Sequence, residues 1–376
     1  MRKTFKYRLR PNKAQLRQLE NSLELCGWVY NETLAVRRNT YEDSKENISL
    51  YQTNKLLPGW KKERPELKAA HSQVLANAQV RVDLAFKAFF RRVKAGETPG
   101  YPRFKGKGRY DSITYPQYGN GALLDGTRLK LSKIGVLKIV LHRPFQGEIK
   151  TVTIIRQNGK WYACFSCEVE PPGVSQTSGQ AVGIDVGLAS FATFSSGEKI
   201  ESPRFFRKDE KALAKAQRKL SKFETGTPER LRSRKVVGRI HERVANRRKD
   251  FAHKLSRRLV NDFALIAFEN LDIKDMQDGN FRSMNKSIAD AAWSQLVSYT
   301  TYKAENAGCR VVLVDPRNTS KACSRCSSIV PKALNIRTHN CPICGLVLDR
   351  DENAAINILR LGLQSLGNQS LEAHAL

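Results

Sequence analysis

Ala181-Val182-Gly183-Ile184-Asp185-Val186-Gly187-Leu188 is a short apolar run interrupted by a single acid. Burying a lone carboxylate is costly, so Asp185 requires a salt-bridge partner or a bound cation. Ser190-Phe191-Ala192-Thr193-Phe194 and a Ser-Ser-Gly turn follow, which predicts a second strand beside the first. The design returns in Ala264-Leu265-Ile266-Ala267-Phe268-Glu269-Asn270, a continuous apolar run suited to a central strand and ending in an acid. Neighbouring strand ends would bring Glu269 towards Asp185. A third acid, Asp351, opens the helical pattern Glu352-Asn353-Ala354-Ala355-Ile356-Asn357-Ile358-Leu359. Asp349 competes with it, and also suits an N-terminal helix charge. Taken singly, an acid at a strand end or helix start is more often a cap or an ion-pair partner. Two acids on apolar strands plus one at a helix start suit a pair of hard divalent ions about 3.5–4 Å apart that activate water. Nothing suggests a Ser-His-Asp triad, and dinucleotide and P-loop glycine patterns are absent, so phosphodiester hydrolysis is the reaction expected.

Just ahead of the last acid, Cys323, Cys326, Cys341 and Cys344 form two C-x-x-C pairs separated by fourteen residues. Each pair offers two thiolates from a tight turn, and two pairs build the four-sulfur tetrahedron that zinc prefers. Such a site is closed to water, so the zinc expected here is structural. Cys164 and Cys167 make a third C-x-x-C, but in the alternating run Trp161-Tyr162-Ala163-Cys164-Phe165-Ser166-Cys167-Glu168-Val169 a strand would aim them at opposite faces, as structural residues rather than a ligand pair.

With 376 residues the chain has room for several cores, and 65 Lys+Arg against 36 Asp+Glu give a formal charge of +29. A charge of that size implies a polyanionic partner, nucleic acid first. Neither a long apolar span nor an apolar signal core after Met1-Arg2-Lys3-Thr4-Phe5-Lys6 is present. A cytoplasmic protein with no membrane partner is therefore expected.

Thr4-Phe5-Lys6-Tyr7-Arg8-Leu9 reads as a strand, and residues 13–95 as mainly helical. The strongest helical face runs Val74, Ala78, Val82, Ala85, Phe86, Phe89, Phe90. Pro99-Gly100-Tyr101-Pro102-Arg103-Phe104-Lys105-Gly106-Lys107-Gly108-Arg109-Tyr110 then interleaves aromatics with cations, a mixture that suits base stacking and phosphate contact. Short strands over 110–178 suggest a small barrel, and Gly173-Val174-Ser175-Gln176-Thr177-Ser178-Gly179-Gln180 a linker. Beyond the acid strand, a helical pair broken at Gly226-Thr227-Pro228 carries Arg239, Arg243, Arg247, Arg248, Lys249 and Arg257, a cationic excess that favours nucleic-acid contact.

Several ordered motifs resemble the TnpB proteins of bacterial insertion sequences, relatives of the type V CRISPR effectors, over nearly the whole chain. They are Tyr101-Pro102-Arg103-Phe104-Lys105, Gly183-Ile184-Asp185-Val186-Gly187, Val244-Ala245-Asn246-Arg247-Arg248-Lys249-Asp250-Phe251, Phe268-Glu269-Asn270-Leu271, Ser287-Ile288-Ala289-Asp290-Ala291, Asp315-Pro316-Arg317-Asn318-Thr319-Ser320, the cysteine quartet, and Asp349-Arg350-Asp351-Glu352-Asn353-Ala354-Ala355. The resemblance implies a multidomain α+β protein. Its RNase H-like α/β nuclease domain, of the RuvC kind, would span 181–318 and 348–376, with a zinc-ribbon insertion at 319–347. An N-terminal wedge-like β-barrel, 1–12 and 109–178, would carry a helical recognition insertion at 13–108.

The catalytic and Mg2+-binding acids would be Asp185, Glu269 and Asp351, the last favoured over Asp349. Two Mg2+ ions are expected, with Mn2+ able to substitute, beside structural Zn2+. The implied activity is RNA-guided cleavage of double-stranded DNA next to a short flanking motif, using a guide RNA from the element end. A monomer is expected. The rival readings are a guide-independent transposase or resolvase acting on element ends, and an RNA-guided DNA-binding repressor. One departure is visible: Ser327-Ser328 follows Cys326 where the family usually carries a glycine, so a knuckle needing positive φ would be strained here.

Overall fold

The computed structural model describes residues 1–170, 179–278, 280–333 and 335–373. The chain forms two compact units, Met1–Glu170 and Pro171–Leu376. Most of the glycine- and serine-rich segment expected as a linker, residues 173–178, lies outside the described residues.

In the first unit, β1 (Arg2–Arg10) leads into α1 (Lys13–Ser44), whose start is fixed by a reciprocal capping box between Asn12 and Gln15. Helix α1 buries Leu19, Leu23, Cys26, Val29, Tyr30 and Leu34, a run at helical spacing. Short helices α2 (Leu50–Asn54) and α3 (Leu57–Glu63) precede α4 (Ser72–Lys94). Val74, Ala78, Val82 and Phe86 of α4 are buried, but the apolar face expected from sequence ends there: Phe90 is 51% exposed. The strands β2 (Ser112–Tyr115), β3 (Ala122–Asp125), β4 (Arg128–Leu131), β5 (Gly135–Val140), β6 (Glu148–Gln157) and β7 (Lys160–Glu168) complete an antiparallel sheet in the order β2-β6-β7-β1-β5-β4-β3. Tyr7, Leu9, Tyr115 and Phe165 are buried within this unit's core. On β7 Cys167 is buried and Cys164 half-buried, as the alternation of a strand dictates.

The second unit opens with β8 (Ala181–Val186), β9 (Ser190–Phe194) and β10 (Lys199–Glu201), followed by α5 (Phe205–Ser221) and α6 (Pro228–Asp262). Thr227 caps α6 by accepting from the Arg230 amide, and Pro228 occupies the first turn, where no intrahelical amide partner is needed. Then come β11 (Leu265–Glu269), α7 (Arg282–Ala291), α8 (Trp293–Ala307), β12 (Arg310–Val314), the hairpin β13 (Thr338–Asn340) and β14 (Val347–Asp349), and α9 (Arg350–Ala373). The main sheet runs β10-β9-β8-β11-β12. Strands β8, β11 and β12 are mutually parallel where they pair, and β9 and β10 are antiparallel additions.

Helix α9 lies directly on this sheet because two glycines make room for it. A Cβ at Gly183 would stand 2.1 Å from the Ala355 carbonyl oxygen and 2.5 Å from the Leu359 amide. One at Gly362 would meet the Ala267 Cβ at 2.8 Å. Ala354, Ala355 and Ile358 supply the buried face of the helix, small side chains that suit so close an approach.

Candidate active site and metal centre

Asp185 lies on β8 opposite Thr193 of β9, one residue beyond the last pair that β8 makes with β11, Ile184 and Phe268. That register sets Glu269, the final residue of β11, on the adjoining strand at the same level. Burial, then the charges of Glu269 and Asp351, hold the Asp185 carboxyl well above the usual range, and Arg350 opposes them. Burial also raises Glu269, against a hydrogen bond donated by the Thr319 hydroxyl to Oε1 at 2.5 Å.

The two acids at the start of α9 do different work. Asp349 Oδ1 accepts from the amides of Asp351 and Glu352 at 3.0 and 3.2 Å, which is N-terminal capping, while Oδ2 pairs with Lys199 at 2.7 Å. Burial would raise the Asp349 carboxyl, but Lys199 and those amides outweigh it and bring it down. Asp351 instead carries Arg350 on Oδ1, at 3.1 Å from Nε and 3.0 Å from Nη2, with Arg337 Nη1 3.7 Å from Oδ2. The structure thus brings Glu269 and Asp351, and Asp349 with them, within electrostatic reach of Asp185. It does not bring them into a ready ligand cluster: among the described residues the four thiols are the one group of three or more metal-ligating side chains with ligand atoms within 4.8 Å of one another.

Those thiols come from two knuckles of matching form. Ser327 and Gly345 each donate a backbone amide to the first cysteine of their pair, Cys323 and Cys341, at 2.9 Å. Each adopts positive φ, 62° at Ser327 and 70° at Gly345. The strain expected from the missing glycine is therefore present in the backbone, and the Ser327 hydroxyl accepts a 2.6 Å hydrogen bond from Arg360 Nη1 of α9. Sulfur separations of 3.6 Å across both Cys323–Cys344 and Cys326–Cys341 are close to the about 3.8 Å edge of a tetrahedron with Zn–S near 2.3 Å. The Ser328 hydroxyl and amide pull the Cys326 thiol down to about 6, so a thiolate is available at neutral pH. Zinc fits this donor set.

Three residues that chemistry-led reading of the sequence does not single out join the ribbon to the acids. Asn353 and Asn357, one turn apart on α9, both donate to the Ala322 carbonyl at 2.8 Å. Asn357 also donates to the Thr319 carbonyl at 2.8 Å, and Asn353 Oδ1 accepts from the Ser324 amide at 2.9 Å. Thr319 in turn reaches Glu269. Buried asparagines four residues apart on an otherwise apolar helix face were the available signal, since buried carboxamides require partners.

The basic face of α6 is partly committed within the unit. Arg243 and Arg247 pair with Asp209 of α5 at 3.3 and 3.1 Å, and Arg248 with Asp290 of α7 at 2.7 Å. Asp290 also accepts from the Phe206 amide at 2.9 Å, which ties α5, α6 and α7 together. Arg239, Lys249 and Arg257 are exposed.

A protein of Streptomyces pristinaespiralis named "Putative RNA-guided DNA endonuclease" is 35% identical over 373 residues, covering 96% of this chain and 90% of its own. This chain belongs to the TnpB family. A second TnpB relative, "Putative RNA-guided DNA endonuclease InsQ" of Escherichia coli strain K12, is 31% identical over 376 residues, covering 95% and 92% of the two chains. Three family profiles match successive segments: the helix-turn-helix domain of OrfB_IS605 at residues 1–46, OrfB_IS605, described as "Probable transposase", at 164–280, and the Cas12f1-like TNB domain at 293–358. In this TnpB chain, residues 1–46 form β1 and the single uninterrupted helix α1 rather than two helices joined by a turn. A solved structure described as that of the mini-RNA-guided endonuclease CRISPR-Cas_phi3 shares the fold, with a TM-score of 0.52 at 10% identity, covering 96% of this chain and 92% of that one.

Proposed function

We propose that this TnpB-family protein is an RNA-guided DNA endonuclease of an insertion sequence, hydrolysing target DNA next to a short flanking motif. The observation that carries the reading is Asp185, a half-buried residue at the level of Glu269 on the adjoining strand, whose carboxyl is pushed well above its usual range by desolvation and by the charges of Glu269 and Asp351. A divalent cation is the partner such a cluster lacks, and carboxylate oxygens suit Mg2+. Asp185, Glu269 and Asp351 would hold the metal, expected as two ions that Mn2+ can replace. When bound, it would lower the pKa of water and offset charge on the phosphodiester. The strand order β10-β9-β8-β11-β12, which numbers 3-2-1-4-5 within the unit, supports an RNase H-like domain of the RuvC kind.

The chain's own groups would divide the remaining work. Thr319 keeps Glu269 oriented and favours its ionised form. Asp349 caps α9 and so fixes the backbone from which Asp351 projects. Arg337 and Arg350 flank Asp351 and would meet the phosphates entering the site. Cys323, Cys326, Cys341 and Cys344 would hold structural zinc, closed to water. Residues 319–347 would form the target-nucleic-acid-binding ribbon between the nuclease segments 181–318 and 348–376. Residues 1–12 and 109–178 would form the wedge-like barrel, and 13–108 the helical recognition insertion. The partners would be a guide RNA from the element end and double-stranded DNA, bound by a monomer. No helix of the described residues is long and apolar enough to cross a membrane.

The test is to purify the protein co-expressed with its native flanking DNA, sequence the bound RNA, and assay a target matched to it. One abundant RNA ending at the element boundary, with Mg2+-dependent cleavage lost in D185A but RNA binding retained, is the expected result. Cleavage of element ends by RNA-free protein would establish the transposase reading instead, and programmed binding without any nicking would establish the repressor.

A further inference from the structure

The basic, glycine-rich loop that ends at Tyr110 folds back on α1 and closes one side of a cleft of about 540 Å³. Its walls include Trp28 of α1, Arg64, Lys105, Lys107, Tyr110 and Arg156 of β6. The loop backbone is held at both ends. The Asn31 carboxamide donates to the Lys105 carbonyl at 2.9 Å and accepts from the Lys105 amide at 2.7 Å. Arg156 donates to the Gly108 carbonyl at 2.9 Å while paired with Asp111 at 2.8 Å. Gly27 lets Tyr110 lie against α1, since a Cβ there would stand 3.2 Å from the Tyr110 Cβ. A cleft fixed in this way binds with little ordering cost.

Its chemistry has two parts. The Arg64 guanidinium, held by an ion pair to Glu66 at 2.7 Å, sits 4.5 Å from the ring centre of Trp28, which is only half-buried, so cation and indole together offer planar surface. Lys107 is exposed and has no ion-pair or hydrogen-bond partner among the described residues, while Lys105 lies 5.6 Å over Tyr30. Glu24 is the one acid in the lining, also without a partner among the described residues, and can accept a hydrogen bond from a base amine or a ribose hydroxyl. Aromatic and guanidinium planes beside exposed lysines recognise bases and phosphates together.

We infer that this cleft takes one unpaired nucleotide, its base against Trp28 and Arg64 and its phosphate against Lys105 and Lys107. The inference rests on the nucleic-acid reading above and adds a site distinct from the acids. An unpaired base can lay its face on Trp28, whereas the faces of a base in a duplex are covered by its stacked neighbours. The nucleotide can belong to an RNA or to a separated DNA strand, which share this chemistry.

The test uses the full-length protein and photo-crosslinking to a hexanucleotide RNA carrying 4-thiouridine, a DNA hexanucleotide carrying 4-thiothymidine, and a blunt duplex with the same thymidine analogue. Adducts on Trp28 or on the 105–110 peptide with a single strand, and not with the duplex, are expected. The RNA arm points to a guide and the DNA arm to an opened target. W28A should weaken hexanucleotide binding about tenfold. K107A, an exposed change that leaves the packing alone, should lower the salt dependence of log K by about one. Adducts scattered over the basic surface with none in the cleft, or equal labelling by the duplex, would overturn the site. Programmed cleavage assayed in the same preparation separates failure of the cleft from failure of the nuclease reading.

Discussion

The Thr319 hydroxyl donates to Glu269 Oε1 at 2.5 Å, so the segment leading into the ribbon is bonded to the acid that ends β11. This bond opposes the rise that burial imposes on the Glu269 carboxyl. T319V should therefore raise that carboxyl further and move the acid limb of the cleavage rate to higher pH, because the group must be ionised to hold a cation. T319S should restore the profile. An acid limb unchanged in T319V would remove Glu269 from the reaction.

Asp349 and Asp351 should separate cleanly. D349A loses a helix cap, at a cost of about 1 kcal/mol near neutral pH. Because its folded pKa is depressed, the stability it gives is present above the ordinary Asp value near 3.9 and is lost as pH falls through the folded value. D351N should instead abolish cleavage while leaving the cap on α9, made by Asp349 to the backbone amides, in place. Melting curves from pH 3 to 7, run beside a cleavage assay, distinguish the two roles.

G183A places a methyl group against the backbone of α9. The helix must shift, at a cost of about 1–3 kcal/mol or more. Cleavage should fall even at temperatures where the variant is folded, since Asp351 moves with the helix. Wild-type cleavage in a folded G183A protein would show that α9 tolerates displacement.

At Ser327 two effects oppose each other. S327G removes about 1 kcal/mol of left-handed backbone strain and forfeits about 1 kcal/mol from the Arg360 hydrogen bond, so its stability should stay near wild type. S327A keeps the strain and loses the bond, and R360A does the same, so both should fall below wild type by about 1 kcal/mol. Chelator-induced zinc release, followed with a colorimetric indicator, should be faster in these two and unchanged in S327G.

Lys303 is buried on α8, donating to the His253 carbonyl and the Ser256 hydroxyl at 2.6 Å. Burial, helped by Arg257, lowers its pKa to about 8. The unfolded chain then binds more protons than the folded one between about pH 8 and 10.4, so stability should rise across that window. Denaturation at pH 7.5 and 10 should show this gain relative to K303M, whose curve lacks it.

The acids on apolar strands were legible from sequence because a buried charge in a β run has few explanations, and the ribbon because paired cysteines have fewer still. The long helices followed from apolar spacing. The exposed end of α4 was not legible, since periodicity identifies a face but not how far its neighbour extends. Nor was the commitment of Arg243, Arg247 and Arg248, whose partners Asp209 and Asp290 come from other helices. Thr319, Asn353 and Asn357 escaped for the same reason: each works by a hydrogen bond to a residue distant in the chain.

The Asn353 and Asn357 carboxamides carry a consequence for anyone transplanting this ribbon. A cassette cut at 319 and 347, the ends proposed for the insertion, would leave behind the two side chains that grip its first knuckle. A donor ribbon placed on a host helix without that pair would arrive with the Ala322 carbonyl and the Ser324 amide unmatched. The exchangeable piece therefore extends to Asn357, and since Asp351 lies within it, any swap of ribbons is also a swap of one of the three acids.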